Sequence, residues 1–115
     1  MPIKDEEAMS QKRIRVMEGK TLNPGQMVRI SVELQAVLLA NVEGTLFAIE
    51  DKCSHEDASL YNGALKGDCV ECPLHGSRFD LKTGQPKEEP ATEPVKTFPV
   101  ERQGDEIYIL INASE

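Results

Sequence analysis

Hydrophobic residues in this chain occur in short runs that are separated by turn residues. Short runs that are continuous or that alternate with polar positions are typical of β-strands, and no stretch repeats convincingly with the period of a helix. The pattern predicts six strands, at residues 13–16, 27–32, 36–41, 46–49, 97–102 and 106–111. Turn sequences separate several of them: Asn23-Pro24-Gly25, Glu43-Gly44-Thr45 and Gln103-Gly104-Asp105. The sequence therefore predicts an all-β domain of short antiparallel strands.

The length of 115 residues predicts one domain. We expect residues 1–10 to form a disordered extension and residues 11–112 to form the domain. Between the fourth and fifth predicted strands lies a long insertion, at about residues 51–94, which we expect to be irregular. Its last part contains several prolines and predicts a stiff loop. There is no internal repeat.

Two short motifs in the insertion carry the candidate chemistry. Cys53-Ser54-His55 and Cys72-Pro73-Leu74-His75 each supply one thiol and one imidazole, in the same order. They use both histidines of the chain and two of its three cysteines. Two sulfur and two nitrogen ligands indicate a metal site.

This C-x-H…C-x₂-H arrangement resembles the Rieske iron–sulfur proteins. The resemblance implies a Rieske-like domain with a cluster-binding subdomain and one [2Fe–2S] cluster. Cys53 and Cys72 would then bind one iron, and His55 and His75 the other, more exposed iron. A structural zinc site is the alternative, because Cys₂His₂ zinc is common. Zinc fingers, however, usually pair cysteine with cysteine and histidine with histidine, whereas each motif here is mixed.

The same resemblance suggests which residues surround the cluster. Gly76 would allow close backbone approach, Ser77 would donate a hydrogen bond to a sulfide, and Pro90 belongs to a proline loop that would cover the cluster. High-potential members have a tyrosine where this chain has Phe79, which cannot donate a hydrogen bond. Such members also carry two cysteines that form a disulfide, and this chain lacks them. We therefore expect a reduction potential near the lower end of the Rieske range of about −150 to +300 mV.

The third cysteine, Cys69, forms a formal C-x-x-C motif with Cys72. Such a motif can be a thioredoxin-like redox pair. No helix is predicted to begin there, and Cys72 is already a candidate ligand. The sequence therefore predicts that Cys69 is a small buried residue near the start of a short strand.

Charge narrows the possible partners. Thirteen basic and 20 acidic residues give a net charge of −7, which argues against nucleic acid or an anionic membrane surface as a partner. No run approaches the roughly 18 apolar residues of a membrane-spanning helix, and the N-terminus has no secretory signal. We expect a cytoplasmic protein.

The most specific stretch of the resemblance, ECPLHGSRFD at residues 71–80, is similar to soluble Rieske-type ferredoxins. Such proteins carry electrons from an NAD(P)H-dependent flavoprotein reductase to a terminal ring-hydroxylating dioxygenase. The resemblance thus implies an electron carrier rather than an enzyme, because a catalytic mononuclear iron would need two further histidines. Three alternatives remain open: the small subunit of assimilatory nitrite reductase, a ferredoxin of iron–sulfur assembly, or a zinc-stabilised interaction module.

Overall fold

The computed structural model describes residues 11–54, 57–74, 76–89 and 91–112. These ranges contain two short 3-10 helices, Met17–Lys20 and Leu60–Asn62, and no α-helix. No helix in the described part of the chain is long and apolar enough to cross a membrane. The strands are β1 Gln11–Arg15, β2 Met27–Val32, β3 Gln35–Val42, β4 Thr45–Glu50, β5 Ala64–Lys66, β6 Cys69–Glu71, β7 Arg78–Asp80, β8 Pro86–Glu88, β9 Thr97–Phe98, β10 Val100–Gln103 and β11 Glu106–Asn112. The all-β prediction is confirmed.

The strands form three antiparallel sheets. Sheet A has the order β1-β11-β10, sheet B the order β2-β3-β4-β9, and sheet C the order β5-β6-β7-β8. Sheet C lies entirely within the insertion that the sequence predicts between β4 and β9. The expectation that this insertion is irregular is wrong. Its strands have only three residues each, too few to show a period in the sequence.

Strand β3 is buried on both faces, and this explains its continuous apolar sequence. Successive side chains of a strand point to opposite faces. Accordingly, Val37 and Leu39 pack in a core between sheets A and B, while Leu38 and Ala40 pack in a second core on the side of sheet C. All four residues are fully buried. Sheet B therefore forms the central layer, and each buried Leu or Val contributes about 1.5–3 kcal/mol of hydrophobic stabilisation.

The second core contains two of the candidate ligands. Its members come from sheets B and C and from the loops of the insertion: Leu38, Ala40, Ile49, Cys53, Leu60, Val70, Cys72, Phe79, Leu81, Ala91 and Val95. The candidate site thus lies against the face of sheet B that is turned away from sheet A.

The predicted strand 97–102 is two strands. Thr97 and Phe98 pair with β4 in sheet B, whereas Val100 pairs with Ile109 in sheet A. Pro99 lies between them and has no N–H to donate, so a regular ladder cannot continue through it. Its carbonyl accepts the N–H of Leu110 at 3.0 Å. The chain therefore passes from one sheet to the other at Pro99.

Alanine substitutions at two glycines with positive φ would test how tightly the insertion packs. An alanine Cβ at Gly84 (φ 79°) would lie 2.1 Å from the carbonyl oxygen of Val95, whereas one at Gly67 (φ 61°) would meet no atom within 4 Å. We expect Gly67→Ala to cost about 1–2 kcal/mol from the left-handed backbone alone. Gly84→Ala should cost about 1–3 kcal/mol more because of the clash. Urea unfolding of both variants measures the difference, and equal losses would contradict the packing of residue 84 against residue 95.

Candidate metal centre

Each of the two candidate ligand loops is closed by a backbone hydrogen bond, and the two bonds are equivalent. The N–H of Cys53 donates to the carbonyl of Ala58 at 3.0 Å, and the N–H of Cys72 donates to the carbonyl of Ser77 at 2.7 Å. In both loops the acceptor lies five residues after the cysteine (58 − 53 and 77 − 72). Each loop therefore begins at a cysteine and encloses one histidine of the sequence.

The cysteines are buried, while the described tips of their loops are exposed. Cys53 is 1% exposed and Cys72 is 2% exposed, and neither forms a disulfide. Ser54, Asp57, Pro73 and Leu74 are exposed, and 47% of Leu74 is accessible. The arrangement places two thiols in an apolar core directly beneath a surface that another protein could reach.

Three of the predicted site residues, His55, His75 and Pro90, lie outside the described residues. Their predicted roles stay predictions. The predicted disorder of residues 1–10 also falls outside the described part of the chain.

The segment that follows residue 90 is hydrogen-bonded to both ligand loops. The Ser54 hydroxyl donates to the carbonyl of Glu93, and the N–H of Ala91 donates to Ser77 Oγ at 3.0 Å. Ala91 and Val95 are both buried in the core that contains the two cysteines. These contacts fix the segment against the two loops. That the segment covers a cluster stays a prediction.

Ser77, Phe79 and Gly76 all lie in or directly after the second loop. Ser77 is fully buried, and because its Oγ accepts the N–H of Ala91, its own proton can still be donated to another group. Phe79 is fully buried in β7 and belongs to the same core as the cysteines. Gly76 has a φ of 76°, where an added Cβ would come no closer than 3.7 Å to Glu71. Backbone conformation alone therefore explains a glycine at this position.

Cys69 is half-buried, so the expectation that it is buried is only partly met. It begins β6 as predicted and pairs with Asp80 on β7. Burial, and then the negative charge of Asp80, raise the pKa of its thiol above the ordinary value. A raised pKa disfavours the reactive thiolate, which argues against a thioredoxin-like pair with Cys72.

Sequence reasoning missed Asp51, which anchors the first loop. Its carboxylate accepts hydrogen bonds from Arg29 Nε at 2.7 Å, from the Ser59 hydroxyl at 2.5 Å and from the N–H of Tyr61 at 2.8 Å. Its own N–H donates to the carbonyl of Ala36 at 3.0 Å. Its position two residues before Cys53 indicated a residue close to the ligand loop. The hydrogen bond from Arg29 could not be predicted, because Arg29 is distant in the sequence.

Comparison with known proteins identifies the family. The model of the Rieske [2Fe-2S] domain family matches residues 12–99 of this chain. The chain therefore belongs to the Rieske [2Fe-2S] domain family. This confirms the resemblance that the two mixed motifs indicate, and it favours a [2Fe–2S] cluster over zinc.

Its relatives include ferredoxins of dioxygenase systems. The ferredoxin component of biphenyl 2,3-dioxygenase from Rhodococcus jostii (strain RHA1) is 39% identical over 95 residues, which are 83% of this chain and 89% of that protein. The ferredoxin subunit of 3-phenylpropionate/cinnamic acid dioxygenase from Escherichia coli (strain K12) is 45% identical over 86 residues, 74% of this chain and 80% of that protein. Both are named as ferredoxins, which confirms an electron carrier rather than an enzyme.

A solved structure supports the same assignment. A chain in the complex of reduced oxygenase and oxidized ferredoxin of carbazole 1,9a-dioxygenase superimposes with a TM-score of 0.75 and 34% identity. The match covers 87% of this chain and 92% of that chain.

The described residues fit a cluster of this kind. An iron–sulfur core needs thiolates that are not engaged in a disulfide and surroundings that exclude water, and Cys53 and Cys72 meet both conditions. Ser77 adds a buried hydroxyl beside the second loop. No described cysteine lies at residue 58 or residue 74, where a loop-bridging disulfide would need one.

The hydrogen bond between Ala91 and Ser77 should contribute measurably to stability. Ser77→Ala leaves the N–H of Ala91 without this acceptor in a buried setting, so we expect a loss of about 1–3 kcal/mol in the free energy of unfolding. Ser54→Ala, which removes an exposed hydroxyl that donates to the same segment at Glu93, should cost less. Urea unfolding and hydrogen exchange at the Ala91 amide test this. Equal losses, with no faster exchange in Ser77→Ala, would contradict it.

The raised pKa of Cys69 predicts slow alkylation at neutral pH. Because its thiolate forms only at higher pH, the alkylation rate should level off at a higher pH in the folded protein than in the unfolded chain. Mass spectrometry of the Cys69 peptide after iodoacetamide treatment of the metal-loaded protein measures the rate. The same peptide in urea is the control, and a rate that levels off at the same or a lower pH in the folded protein than in urea would refute the prediction.

Proposed function

We propose that this chain carries single electrons to the terminal oxygenase of a ring-hydroxylating dioxygenase system and receives them from an NAD(P)H-dependent flavoprotein reductase. The observation that carries the proposal is the pair of equivalently closed loops, each with a buried cysteine at its start. The named roles of the relatives as ferredoxin components of dioxygenases support it.

In this proposal four residues hold the cluster: Cys53 and Cys72 on one iron, His55 and His75 on the other. When bound, the cluster supplies a one-electron couple, and neutral imidazoles in place of two thiolates raise its potential above that of all-cysteine ferredoxins. The buried positions of the two cysteines keep water from the sulfur ligands. The segment at residues 91–95 is hydrogen-bonded to both loops.

The exposed loop tips are the proposed docking face. Leu74 offers an apolar contact and Asp57 a negative charge, within a chain of net charge −7. An oxygenase with a basic rim around an apolar patch would complement this face. The complex of oxygenase and ferredoxin in carbazole 1,9a-dioxygenase, which contains a similar chain, supports an oxygenase as the partner.

The proposal extends to organisation and location. Residues 11–112 would act as one domain in the cytoplasm, where clusters are assembled and thiols stay reduced. A role as nitrite reductase small subunit or as an assembly ferredoxin would use the same cluster, so only the partners separate these functions.

Reconstitution tests the proposed partners. The purified protein should couple NAD(P)H oxidation by a dioxygenase reductase to ring hydroxylation by its oxygenase, in proportion to the amount of protein added. A Leu74→Asp variant with unchanged iron content should support a lower rate because docking weakens. Electron transfer to a nitrite reductase, with none to any oxygenase, would contradict the proposal.

The three cysteines provide a matched test of the ligands. Cys53→Ser and Cys72→Ser should each lose most of the iron and acid-labile sulfide, whereas Cys69→Ser should retain two of each per chain. Metal analysis and visible absorbance after anaerobic purification give the readout. Loss of iron in Cys69→Ser, or full retention in either of the others, would overturn the assignment.

Phe79 should keep the potential low because it offers no hydroxyl to a ligand sulfur. Phe79→Tyr should raise the reduction potential by stabilising the added electron through a hydrogen bond. Phe79→Leu is the control, since it also alters the buried ring but adds no donor. Voltammetry of the three proteins compares them, and an unchanged potential in Phe79→Tyr would show that the hydroxyl does not reach a sulfur.

A further inference from the structure

The Asp51 carboxylate is a buried charge at the base of the first ligand loop. Its side chain is fully inaccessible, and it lies two residues before Cys53, so the two Cα atoms are at most about 7 Å apart. Among the described residues, three groups are hydrogen-bonded to it, and each is a donor: a guanidinium, a hydroxyl and a backbone N–H. This set matches an ionised carboxylate, which can only accept.

These contacts join three parts of the fold. Arg29 belongs to β2, Ser59 and Tyr61 follow the first ligand loop, and the N–H of Asp51 is bonded to Ala36 in β3. The carboxylate thus fixes the start and the end of the loop that begins at Cys53 to the central sheet. Its loss would leave three donors to find other partners at once.

The charge of Asp51 is only partly compensated. Its cationic partner is Arg29, whose side chain is 55% exposed, whereas the side chain of Asp51 is 0% exposed. Water screens the charge of the exposed guanidinium more than that of the buried carboxylate. The electrostatic potential inside the protein near Asp51 therefore remains negative. A negative electrostatic potential near the first ligand loop disfavours the addition of an electron to a cluster held there.

We propose that Asp51 positions the first ligand loop and lowers the reduction potential of the cluster, and that Arg29 limits this effect. The proposal rests on the proposed ligand set and adds a charged pair that lies outside it. Both residues act through the loop and through space, without binding the metal.

Two substitutions should shift the potential in opposite directions. Asp51→Asn removes the buried negative charge and should raise the midpoint potential. Arg29→Gln removes the compensating positive charge and should lower it. Mere loosening of the loop would not produce opposite signs, because both variants remove the same ion pair between Arg29 and Asp51.

Asp57→Asn is the matched control. It likewise removes one negative charge, here from within the first ligand loop, but its side chain is 98% exposed and its only described ion pair is a 3.9 Å contact with Lys52. Solvent screening predicts a smaller shift than in Asp51→Asn. Voltammetry at fixed pH and ionic strength, with iron and sulfide content measured for each protein, gives the comparison.

The outcomes separate the inference from the proposed function. A larger rise in Asp51→Asn than in Asp57→Asn, together with a fall in Arg29→Gln, supports the inference. Equal shifts in the two aspartate variants, or shifts of the same sign in Asp51→Asn and Arg29→Gln, overturn it. If Asp51→Asn does not retain iron, Arg29→Gln decides, and an unchanged or raised potential refutes the inference. Wild-type protein without two irons and two sulfides would instead refute the proposed function.

Discussion

The structure depends on bringing two loops that are distant in the sequence to one buried place. Cys53 and Cys72 must both enter the core between sheets B and C, where their thiols are shielded from water. Apolar burial cannot orient a short loop, because the hydrophobic effect has no direction. Hydrogen bonds supply that direction: each loop is closed by the N–H of its cysteine, and each is bonded to the segment after residue 90.

The central sheet makes this arrangement possible. Strand β3 buries one face against sheet A and the other against the core of the candidate site. Strand β4 leads from that sheet directly into Asp51 and the first loop. The Asp51 carboxylate, together with its backbone N–H, thereby ties the loop to the sheet. An electron carrier benefits from such support, because a site that moves little on reduction needs little reorganisation.

Parts of the fold could be predicted from the sequence and parts could not, for identifiable reasons. The strand predicted at 27–32 is confirmed. It could be predicted because its apolar run and the turn sequence before it are local features of the sequence. The single strand predicted at 97–102 is wrong because the change of sheet at Pro99 depends on tertiary pairing. Apart from the short strand at Cys69, sheet C was missed because its strands are too short for a pattern. The cysteine motifs were recognisable from residue type and spacing alone. The contacts of Asp51 with Arg29 and of Ser54 with Glu93 were not, since they join residues 22 and 39 positions apart.

The central claim is that two histidines and two cysteines share one two-iron cluster. Electron–nuclear double resonance of the reduced protein, grown with ¹⁵N-histidine, tests it most directly. We predict couplings from two ¹⁵N nuclei bound to the reduced iron. A spectrum with none, or with only one, would contradict the account.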